Sequence, residues 1–104
     1  MALKLTGATS LFDQHIASAS RGHADAYFQL GIAYSTGTDG CDVDMIEAHK
    51  WFNLAALAGV SDAAALRADV ACDMDRDEIA EAQRQARSWL TAVSSNGVSA
   101  RRAA

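Results

Sequence analysis

Between Ala24 and Gly59 the chain reads ADAYFQLGIAYSTGTDGCDVDMIEAHKWFNLAALAG, two helical patterns around a turn rich in Gly and Asp. Ala26, Leu30, Gly31 and Tyr34 fall on one face of an α-helix. Gly31 lies inside that face. A mid-helix Gly costs about 1 kcal/mol against Ala, which is tolerable where a second helix must pass close by. On this reading Gly31→Leu overpacks the contact with the Trp51 helix, and Gly31→Ala is milder. Gly37 follows the last periodic residue and suits a left-handed helix cap. After the turn at residues 38–43, Asp44 and Glu47 have the spacing of a capping box, in which each side chain bonds the other's free backbone N–H. Ala48, Trp51, Phe52, Ala55 and Ala58 then form a second stripe, whose alanines let a partner helix pack near. The stretch predicts a helical hairpin closed by Gly59.

Its residues resemble the Sel-one-like repeat (SLR), a short relative of the tetratricopeptide repeat. The resemblance rests on Ala26, Leu30, Gly31, Tyr34, Gly37, Asp44, Ala48, Trp51, Ala55, Ala56 and Gly59, which agree in order over one full repeat. One departure stands in the turn. The family's second Gly usually follows the first by two residues; here that place is Asp39 and Gly40 comes next, a one-residue insertion. The resemblance implies an antiparallel helix pair stacked in a right-handed solenoid, with the Trp at the helix–helix contact. It also implies a small bacterial member of the family that binds other proteins without catalysis.

The flanks repeat the pattern in worn form. Gly22 and Gly59 lie 37 residues apart, as do Asp25-Ala26 and Asp62-Ala63, a period that belongs to helical solenoids. Ser10 is placed to cap a helix with Leu11, Phe12, His15, Ile16 and Ala19 as its apolar stripe, the second half of a truncated repeat. Beyond Gly59, Ser61 is the expected cap of a helix with Ala63, Leu66, Val70 and Met74 inward. Arg67, Ala68 and Ala71 replace the Leu-Gly and Tyr there. Asp75 and Glu78 form a second capping box, with Met74 and Ile79 as its hydrophobic staple. Ala82, Ala86, Trp89, Leu90 and Val93 continue that helix. The fold class is therefore all-α: a short α/α solenoid of antiparallel helix pairs, about two and a half repeats in five helices. Residues 1–9 are expected to be a flexible arm, 10–93 the repeat domain and 94–104 a disordered tail.

Composition narrows the function. Half of the 104 residues are hydrophobic and none is Pro, which favours a helical domain over disorder. A net charge of -4 argues against nucleic acid, which needs a basic face. No apolar run approaches the ~18 residues of a membrane span. The first ten residues lack the apolar core of a secretory signal, so the expected location is the cytoplasm, with Cys41 and Cys72 reduced.

Neither metal nor cofactor is expected. Asp73, Asp75 and Asp77 mimic the start of a calcium loop, but Glu78 stands where its Gly belongs and Arg84 where its Glu belongs. Capping accounts for Asp75 and the helix dipole for Asp77. His15, His23 and His49 lie on different elements without zinc spacing; His15 reads as a half-buried packing residue and His49 as exposed. Asp39 and Asp42 would raise the Cys41 pKa and lower its reactivity. No nucleophile–base pair is legible, so no catalytic residue is assigned. The partner-binding candidates are Phe28 and Ile32, on the flank of the first repeat helix, and Asp39 and Asp42, free charges of the turn. For Phe28 and Ile32 the competing reading is packing against the helix of residues 11–19. The expected function is a non-catalytic interaction module, an adaptor or regulatory protein with a protein or peptide partner. The alternatives are an SLR-type hydrolase of cell-wall-like substrates, whose paired cysteines this chain lacks, and a purely structural homodimer.

Overall fold

The structure, a computed structural model, describes residues 10–103, with side chains described from 10 to 94. The arm expected at residues 1–9 lies outside the described residues. Among those described there are five helices and no strand: α1 (Leu11–Ser20), α2 (Ala24–Thr36), α3 (Met45–Leu57), α4 (Ala63–Ala71) and α5 (Arg76–Ala103). The fold is a short all-α repeat solenoid. α5 continues past residue 93, where the sequence reading closes the repeat domain. The sequence after Val93 holds no Pro, and its one Gly, Gly97, costs a helix about 1 kcal/mol, too little to end it alone.

Local chemistry sets the boundaries. Ser10 caps α1, its Oγ accepting from the Asp13 N–H at 3.0 Å. Gly37 ends α2 in the left-handed region, φ 73°, and its N–H bonds the Ala33 carbonyl. Asp44 caps α3 by accepting from the Glu47 N–H at 3.1 Å. The reciprocal half of that box is missing. The Asp44 N–H bonds the Tyr34 carbonyl across the turn at 2.9 Å. The Glu47 carboxylate instead accepts from Trp51 Nε1 and meets Lys50 Nζ, both at 3.0 Å. The box at Asp75 and Glu78 is complete, with bonds of 2.8 and 2.9 Å. At α4 the cap position is held by Asp62 rather than Ser61, without a side-chain bond, so this helix starts with its first donors unsupported by a side chain.

α3 is the hub. It packs against α2, α4 and α5, while α1 covers the other side of α2. α4 and α5 follow one another in the chain, yet each packs mainly on α3. The larger core cluster joins Ala19, Ala26, Tyr27, Leu30, Trp51, Leu54, Ala55, Ala63 and Ala86. The smaller joins Ala48, Phe52 and Val70 under Ile32, Met45, Leu66 and Met74. Aromatic rings tie the repeat to α5. Tyr27 stacks on Trp51 at 5.9 Å, Trp89 meets Trp51 edge-on at 4.8 Å, and Trp89 Nε1 donates to the Tyr27 hydroxyl at 3.3 Å. Such ring pairs contribute ~0.5–1.5 kcal/mol each beyond their buried area. Leu11, assigned to the inner stripe of α1, is half exposed, while Phe12 packs edge-on against Tyr34 at 5.6 Å.

Gly31 is a point of close approach, as its place in the sequence suggests, but what approaches is a side chain. A Cβ there would stand 2.5 Å from Phe52 Cδ1 and 2.9 Å from Cγ, so the Phe52 ring packs directly against the α2 backbone.

Candidate functional site

α4 is rich in alanine, with Ala63, Ala64, Ala65, Ala68 and Ala71. A groove of about 430 Å³ lies between α4 and α2. Its walls are helical stripes: Ile32, Ser35 and Thr36 from α2, and Leu66, Asp69 and Val70 from α4, with Asp73 just beyond. Met45 and Phe52 of α3 form the floor. The hydroxyls of Ser35 and Thr36 both donate to the Ile32 carbonyl, at 3.1 and 2.8 Å. Thr36 also shares a 3.0 Å hydrogen bond with the Thr38 hydroxyl, so this polar edge of the groove is neutral and engaged within the fold.

The four candidate binding residues separate. Ile32 lines the groove. Phe28 is half-buried between both core clusters and meets Phe52 edge-on at 5.9 Å. Asp39 sits half-buried in the left-handed region, φ 59°, which Asp enters more readily than most residues. Its carboxylate lies 3.8 Å from His15 Nε2, so it faces α1 rather than standing free. Asp42 is exposed. Sequence reasoning missed Leu66, Val70 and Asp69 as parts of a site. Their i, i+3 and i+4 spacing was legible; what they face was not.

His15 is half-buried, as expected. His49 is not exposed. It is 4% exposed on α3, and its Nδ1 has no hydrogen-bond partner. Burial, and then the charge of Arg67, push its pKa below the ordinary 6.5. Arg67 is held nearby by donating to Asn53 Oδ1 at 2.6 Å. A His with a depressed folded pKa is neutral in the fold, so its contribution is fully present above pH 6.5 and is lost as pH falls through the folded value. The urea midpoint is therefore expected to be lower at pH 5.5 than at pH 7.5, with part of that drop removed by His49→Leu. An equal drop in the variant would place the titration elsewhere.

Burial pushes the Cys41 thiol up, with Asp39 and Asp42 adding to the shift; its Sγ donates to the Thr38 carbonyl at 3.2 Å. This is the opposite of an activated thiolate. Among the described residues no three His, Cys, Asp or Glu side chains are grouped to hold a metal ion, and no helix is long and apolar enough to cross a membrane.

Stacked α-helices around one complete hairpin, with an apolar groove on its flank, define a helical-repeat protein. The family model of the Sel1 repeat matches residues 24–60, the span of α2 and α3, so that hairpin is similar to one Sel1 repeat. No curated protein and no solved structure matches it. Sel1 repeats generally mediate protein–protein interaction and are typically non-catalytic.

Proposed function

We propose that this protein is a non-catalytic interaction module, an adaptor or regulatory protein that binds a protein partner in the bacterial cytoplasm. The observation that carries the reading is the groove between α2 and α4, an apolar recess on the flank of the Sel1 repeat itself. The Trp51 pair with Tyr27, by contrast, is engaged in the core and unavailable to a partner.

The test is affinity purification of the tagged full chain after cross-linking in its native cells, with quantitative mass spectrometry. A stoichiometric protein partner is the expected result. A chain recovered only with itself would favour the structural homodimer, and a chain recovered alone would contradict the module.

A further inference from the structure

We infer that the groove between α2 and α4 docks a basic peptide segment of the partner, one that sets apolar side chains between Lys or Arg residues. The inference rests on the interaction-module reading and names the chemistry of its partner.

Three features of the groove select that occupant. Its floor and inner walls, Phe52, Met45, Ile32, Leu66 and Val70, are apolar, so an inserted side chain must be apolar. Its outer wall carries Asp69 and Asp73, both exposed, and the lining holds no Lys, Arg or His to balance them. The opposite wall carries the neutral hydroxyls of Ser35 and Thr36, engaged with the Ile32 carbonyl and Thr38, and no positive charge. The aspartate wall therefore accepts hydrogen bonds and carries the groove's only charge. A partner must bring donors and positive charge: its own backbone N–H groups and ammonium or guanidinium side chains. An acidic segment would place like charges against Asp69 and Asp73 and be rejected.

The test uses fluorescence polarisation with the full chain and two labelled synthetic peptides of equal length. One alternates Leu with Lys; the other replaces each Lys by Glu. The Leu/Lys peptide is expected to bind, with affinity falling as salt rises, and the Leu/Glu peptide to fail. Asp69→Lys with Asp73→Lys should weaken the Leu/Lys peptide at least tenfold, roughly, because opposed charges across an interface become like ones. Ile32→Ser should weaken it without changing the salt dependence. Asp13→Lys with Asp25→Lys makes the same change of net charge away from the groove and should alter affinity by less than about twofold. Circular dichroism confirms that each variant is folded. Equal weakening by both charge pairs would mean non-specific attraction and overturn the inference, as would full binding by the Asp69/Asp73 variant. A dimer in sedimentation that this variant dissociates would make a second copy the occupant and also overturn it. If the partner recovered from cells binds the Asp69/Asp73 variant undiminished, the groove fails while the interaction module stands. If no partner is recovered, the module reading fails first.

Discussion

Gly31→Leu is expected to lower the melting temperature markedly, and further than Gly31→Ala. The new Cβ alone would stand 2.5, 2.6 and 2.9 Å from three carbons of the Phe52 ring. One of the three is Cγ, at the root of the ring, so rotating the ring does not clear the clash. Phe52 is 1% exposed, so any shift of its ring disturbs buried packing. Overpacking of this kind costs ~1–3 kcal/mol and sometimes more, against a total stability of ~5–15 kcal/mol. Gly31→Ala meets the same three atoms. Its gain in helix propensity, about 1 kcal/mol, offsets the clash only in part. Both variants should melt below the wild type, with Gly31→Leu lowest. Phe52→Leu should partly restore Gly31→Ala, since neighbours in contact couple energetically. Thermal melting followed by circular dichroism reads all four chains. A Gly31→Ala chain as stable as the wild type would mean that the ring is not seated there.

Trp51→Ala is the second large effect. Trp51 is 2% exposed and holds three parts of the molecule together. Its ring meets Tyr27 of α2 and Trp89 of α5, its Nε1 bonds Glu47, and Lys50 lies over it at 4.7 Å. Truncating a buried Trp costs ~3–5 kcal/mol. In a domain of this size each kcal/mol is worth ~4–8 °C of melting temperature, so the variant should be largely unfolded at body temperature or melt far below the wild type. Trp89→Ala should cost less, since Trp89 is only half-buried. A Trp51→Ala chain that melts within a few degrees of the wild type would show that α5 is not anchored through this ring.

The complete repeat was legible because its signals are local. Ser10, Gly37, Asp44 and Asp75 act through residues three or four positions away, and each sits at a helix boundary in the structure. The errors fall where a distant element decides. His49 reads as exposed if α3 buries one stripe, but α3 is covered by α2, α4 and α5, and its buried set runs Ala48, His49, Trp51, Phe52, Leu54 and Ala55. A hub helix has no single apolar face to find. The capping box at Asp44 and Glu47 is half formed because the Tyr34 carbonyl, across the turn, takes the Asp44 N–H. The close approach at Gly31 reads in sequence as two backbones in contact; the structure places the Phe52 ring of α3 there. Of the candidate site, Ile32 was legible as an apolar residue off the main stripe of α2. The facing wall was not, because the gap depends on how far α4 stands from α2, and alanine count alone does not fix that distance.

That one complete repeat organises the molecule, with α3 at its centre, is tested most directly by native-state hydrogen exchange of the free chain. Amides of α3 should exchange slowest, with those of α2 close behind, at a free energy equal to that of global unfolding. Those of α4, which starts without a side-chain cap and packs mainly on α3, should open at a lower free energy. Slowest exchange in α4 or α5, with α3 opening before them, would contradict the account.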